Sequence, residues 1–176
     1  MRTRNPDGLR AEVFLYPHHG ADLQGPAEVQ RHGVRYPGLE SDALLALIQP
    51  ELVVISVGTR QAPGVVHPRP GTFRLLADYA AARRGRRAPV RLVCTELTGR
   101  CADRPDAVRE QALAWHTAAG QDLSFARRHP QACPCAGTVR LRIGSEGRRE
   151  FGPDGPHQEF VDQLVRWGGT PGCRVV

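Results

Sequence analysis

Residues 52–57 read Leu-Val-Val-Ile-Ser-Val, a largely β-branched apolar run of strand length between Pro50 and Gly58. A strand exposed on one face would alternate apolar with polar positions, so unbroken apolarity fits a strand covered on both faces. The surrounding segments fit the same layered arrangement. Leu9 to Tyr16 reads as a strand that stops at Pro17-His18-His19-Gly20. Ser41 is a plausible N-cap for a short helix from Asp42 to Gln49. Pro70 sits where a first-turn proline is tolerated, opening a helix from Gly71 to about Arg84 with Phe73, Leu76, Ala77 and Ala80 on one stripe and Gly85 as its C-terminal cap. Val90 to Val93 is the next strand. Strand, helix, strand, helix, strand predicts an α/β layer with a parallel core.

The second half changes pattern. Asp106 to Ala119 reads as a helix, and Ala136 to Ile143 with Arg148 to Phe151 reads as a hairpin around Gly144-Ser145-Glu146-Gly147. Gln158 to Trp167 is a short amphipathic helix, and the Gly- and Pro-containing tail through Cys173 is not helical. A length of 176 residues leaves room for one ordinary domain with a small appendage.

Composition narrows the function classes. With 40% hydrophobic and 24% charged residues the balance is globular, which excludes wholesale disorder. No apolar run approaches the ~20 residues of a membrane-spanning helix. The N-terminal residues lack the apolar stretch of an export signal, so a cytoplasmic protein is expected. The net charge is +6, and all 24 basic side chains are arginine. This permits an anionic partner such as nucleic acid without demanding one. Arg83-Arg84-Gly85-Arg86-Arg87 and Arg127-Arg128 are the densest basic runs, read either as solvated helix ends or as a phosphate-tracking surface. Aromatics at 6% are too sparse for a base-stacking platform. Walker A, Gly-x-Gly-x-x-Gly and Gly-x-Ser-x-Gly motifs do not occur at the required places.

Two sets of residues carry chemistry. His18 and His19 follow the first strand, at the edge where ligands collect in open α/β sheets. His67, nine residues after Gly58, opens a helix on the same edge, so imidazoles from neighbouring strand ends can approach one cation or anion. The alternative is a surface His pair and a helix-start histidine bonded to backbone. The five cysteines (Cys94, Cys101, Cys133, Cys135, Cys173) all lie in the second half, and without an export signal they argue against a disulfide framework. Cys94 ends one strand, Cys101 follows it, and Cys133-Pro134-Cys135 starts the next, which suits a tetrahedral zinc site. Cys173 can replace any one of these four, and His129 and His157 are further candidates. The alternatives are buried free thiols acting as small apolar residues, or a redox role.

The order of these motifs resembles the C-terminal half of the metallo-β-lactamase fold, in the version found in ComEC-type competence proteins. The resemblance rests on Ala11-Glu12-Val13, His18-His19-Gly20, Pro50-Glu51-Leu52-Val53-Val54-Ile55-Ser56-Val57-Gly58, His67-Pro68-Arg69-Pro70 and Ala136-Gly137-Thr138-Val139. It implies half of an αββα sandwich over residues 1–95 and 136–152; the chain departs from that pattern by a Cys-bracketed, mainly helical insertion at 96–135, and ends in a C-terminal helix and tail at 153–176. It also implies a metallohydrolase acting on phosphodiesters or nucleic acid, with His18 as a metal ligand and His19 as the less favoured one. His67 would be a catalytic group beside the metal, and Arg69 a group for an anionic substrate. The family's His-x-His-x-Asp-His motif has no counterpart here. The isolated chain is therefore expected to be inactive unless a second polypeptide or a missing N-terminal half completes the site. The other expectation is a non-catalytic, zinc-stabilised binding module contacting nucleic acid or a protein partner.

Overall fold

A computed structural model describes residues 10–20, 41–59, 67–83, 90–146, 149–152 and 155–174. The chain is mixed α/β. Strands β1 (Val13–Leu15), β2 (Leu52–Ile55) and β3 (Arg91–Cys94) form a parallel sheet in the order β1-β2-β3. The register aligns Val13 with Leu52 and Leu52 with Arg91. The central strand is buried along its whole length, as its unbroken apolar sequence requires. Helices α1 (Ser41–Ile48) and α2 (Pro70–Ala82) occupy the two crossovers. A 3-10 turn spans Pro17–Gly20. Helix α2 starts on its proline, and its C-cap residue is Arg83; the expected Gly85 cap and the rest of the first arginine run lie outside the described residues.

The period-two alternation of the strands sorts the core into two layers. Val53, Ile55, Leu92 and Cys94 face the helices, packing with Leu45 of α1, Leu76 of α2 and the helices of the second half. Those are α3 (Arg109–Ala118) and α5 (Gly155–Arg166); the short α4 (Ser124–Arg128) contributes no residue to this cluster. Val13, Leu52, Val54 and Val93 face the other way, toward Ala136, Val139 and Phe151. The antiparallel hairpin of β4 (Arg140–Ile143) and β5 (Arg149–Gly152) stands on that side. It is held there by an Arg149–Glu12 ion pair and by the Arg91 guanidinium 4.9 Å from the Phe151 ring centroid. Burying one such aliphatic side chain contributes about 1.5–3 kcal/mol, so the two-sided core of β2 is the main source of stability in the layer.

Residues 96–135 do not form a separate core. Cys101, Ala112 and Cys133 join the same cluster as Ile55 and Phe160. The return segment lies along the end of β3, with Ala136 N donating to Cys94 O at 2.8 Å and an antiparallel bridge between Glu96 and Pro134. No described helix is long and apolar enough to cross a membrane.

Candidate metal centre and adjoining cleft

The alternation that puts Cys94 on the helical face of β3 aims its thiol into the space between the sheet, α5 and the tail. Cys94, Cys101, Cys135 and Cys173 are all buried there. Cys173 is the hub: the thiols of Cys101, Cys135 and Cys94 all stand beside its own. His157, in the first turn of α5, brings Nε2 to 3.6 Å from the Cys135 sulfur. The ligand atoms of Cys135, His157 and Cys173 all lie within 4.8 Å of one another, a buried set able to hold a metal ion.

Glycine positions the tail. A Cβ on Gly169 would fall 2.7 Å from Leu164 Cγ and 2.9 Å from Cys101 O, and one on Gly172 would fall 2.8 Å from the Phe73 ring. The tail can therefore press against α5 and α2, and Thr170 N donates to Cys101 O at 2.9 Å. Cys173 is carried into the centre by this contact.

Electrostatics in the cluster favour one shared thiolate. Hydrogen bonds from Cys101, then Cys135 and Cys94, hold the Cys173 thiol well below its usual range. The same bonds, followed by burial, push Cys94, Cys101 and Cys135 well above theirs. A divalent cation would relieve this asymmetry, because each thiolate it binds no longer needs a neighbour's proton. His116 lies behind His157 against the Phe160 ring, centroids 4.5 Å apart. Burial lowers its pKa to about 4, aided by the charge of His157 and opposed by hydrogen bonds to the Pro134 and Cys135 backbone.

Cys133 stands apart from the other four cysteines. A bend begins at Cys135, so strand alternation does not carry across the Cys133-Pro134-Cys135 pair. The Cys133 backbone N–H donates to Thr59 Oγ1 at 2.9 Å. Burial pushes its thiol up to about 12, against the favourable charge of Arg109. Cys173 and His157 are the groups that stand with Cys135; His129 is exposed and packs on Phe125.

The histidine-bearing loops meet at the carboxyl edge of the sheet. Arg69 N and Thr72 Oγ1 both donate to Gly20 O at 2.8 Å. Gly20 has φ +82°, and a Cβ there would lie 2.6 Å from Pro68 Cβ, so only glycine permits this approach. His67 and Arg69 are half-buried in that contact, while the His18 side chain lies outside the described residues. His19 is exposed, has φ 55°, and bonds through Nδ1 to Ser56 O. It lines a cleft of about 390 Å³ together with Ser56, Glu96, Leu123, Phe125 and Pro134. The cleft and the cysteine cluster share walls, because Thr95-Glu96 follows Cys94 and Pro134 precedes Cys135.

The chain matches no protein-family model, no curated protein and no solved structure.

Proposed function

We propose that the chain is a zinc-anchored α/β binding module in which the metal is structural. The observation that carries this reading is the buried set Cys135, His157 and Cys173, whose ligand atoms lie within 4.8 Å of one another, with Cys94 and Cys101 beside Cys173. Thiolate and imidazole donors select zinc among the common divalent ions, and a closed set without an open position suits a structural ion better than a catalytic one. A metal there joins the sheet, residues 96–135 and the C-terminal segment, which is where a chain of this size gains most from a cross-link. The partner is nucleic acid or protein: Arg127, Arg128 and Arg142 are exposed on α4 and β4 and offer phosphate contacts. Elemental analysis of the full chain purified without added metal tests the reading. One zinc per chain is expected, and its removal by a chelator should lower the unfolding midpoint; a metal-free chain of full stability contradicts it.

A second reading is favoured by the contact of Gly20 with Pro68. That contact gathers the His18-His19-Gly20 and His67-Pro68-Arg69 loops at one sheet edge, as a ComEC-like metallohydrolase half requires. On this reading His18 and His67 act on a phosphodiester only when a second polypeptide supplies the His-x-His-x-Asp-His half. Mixing the chain with such a half should then produce a nuclease activity that His18→Ala abolishes. A mixture that forms a complex yet stays inactive removes this reading.

A further inference from the structure

We infer that the cleft between His19 and α4 is a small-molecule site for a ligand with a flat apolar body and one protonated nitrogen group, an amidine or amine; this goes beyond the binding-module reading and stands on the cleft itself. At about 390 Å³ the cleft has the size of a ligand pocket, and it lies beyond the carboxyl ends of all three parallel strands. One wall is apolar, built by Leu123, Phe125, Ala126 and Pro134. Phe125 is 45% exposed, so its ring offers a face to an incoming planar group.

The polar groups decide the sign of the ligand. Among the described residues no arginine lines this cleft, while two carboxylates do. Asp122 is already matched, accepting from the Ser124 amide at 3.0 Å and from Arg140 at 3.2 Å. Glu96 is different. Among the described residues both of its hydrogen bonds come from Thr59, the amide at 2.8 Å and Oγ1 at 2.9 Å, and both fall on Oε2. Those neutral donors fix the carboxylate without cancelling its charge, and it is only 8% exposed. A carboxylate held in low-dielectric surroundings attracts a cation strongly and repels an anion. His19 adds direction: its Nδ1 donates to Ser56 O, so in the neutral ring Nε2 is the acceptor and can take an N–H. Among the described residues no cationic side chain lines the cleft to meet a phosphate.

The test is titration of the isotope-labelled full chain, purified with its metal, with benzamidine, benzamide and benzoate, read by amide chemical shifts. Benzamidine should give saturable shifts at Gly58, Thr95 and Glu96, and benzoate should bind at least about tenfold more weakly. Glu96→Gln should weaken benzamidine about tenfold, and His19→Asn, which keeps a residue tolerant of positive φ, about threefold. Equal binding of benzoate, shifts confined to other surfaces, or no shifts overturn the inference. Metal is measured on the same samples. Metal-loaded chain that ignores benzamidine sinks the cleft and leaves the zinc reading standing; metal-free chain that binds it does the reverse, and failure of both removes both.

Discussion

Nε2 of His157 lies 3.6 Å from the sulfur of Cys135, although the two residues are 22 positions apart and belong to different elements. Cys135 sits on the return segment beside β3, and His157 on the first turn of α5. Their approach brings the C-terminal segment to the sheet, and Cys173 closes the cluster from the tail. Metal binding at such a set is folding free energy, so the consequences of disturbing it reach well beyond the donors.

Removing one donor should separate ligands from bystanders. Cys173→Ser takes away the hub of the thiol network and is expected to cost several-fold to complete loss of bound metal, with a lower thermal midpoint. Cys133→Ser leaves every thiol contact of the cluster intact and should retain one ion per chain. Metal content and unfolding measured side by side distinguish the two.

The tail depends on two glycines. Gly169→Ala puts a methyl 2.7 Å from Leu164 Cγ and 2.9 Å from a backbone carbonyl that cannot swing aside. The expected destabilisation is about 1–3 kcal/mol by denaturant unfolding, with faster hydrogen exchange at Thr170. Gly120→Ala, with open space around its Cβ, should show only the smaller backbone effect of a positive φ.

Thr59 stitches the loop after β2 to residues 96–135. Its hydroxyl accepts from Cys133 N and donates to Glu96 Oε2, each at 2.9 Å. Thr59→Val keeps the shape and removes both bonds, leaving a buried N–H without its acceptor. The cost should be about 1–3 kcal/mol, whereas Thr59→Ser should lose little.

His116 predicts a pH dependence. Its folded pKa is about 4 against an ordinary 6.5, so the unfolded chain takes up the proton first on acidification. The stability it contributes is complete above pH 6.5 and is lost as the pH falls toward 4, a difference of order 3 kcal/mol at 1.36 kcal/mol per pH unit. The His116 ring resonances should titrate with a midpoint near 4. A midpoint near 6.5 would show that the ring is solvated rather than packed against Phe160.

Much of the layer was legible in the chain itself. The β-branched run ending at Ile55 and the apolar stripe of α2 announce their elements because burial on two faces and on one stripe leaves different periodicities. The five-residue α4 leaves none, being too short to show a turn-to-turn repeat. In the thiol cluster Cys94 follows from its place at the end of β3, and Cys101 and Cys135 from the stretch that β3 and the return segment bracket. Cys173 and His157 could only be alternatives, because nothing local reveals that a glycine-rich tail folds back along α5. Cys133 and Cys135 are two positions apart, yet the bend at Cys135 ends strand alternation, and the two have different neighbours, Thr59 and His157.

The most direct measurement is the absorption spectrum of the cobalt-substituted full chain. A tetrahedral centre with at least three thiolates should give intense sulfur-to-cobalt charge-transfer bands together with tetrahedral ligand-field bands in the visible, both retained in Cys133→Ser and lost when Cys135 and Cys173 are both replaced by serine. Cobalt that binds without charge-transfer bands, or a spectrum unchanged in that double variant, would contradict the account.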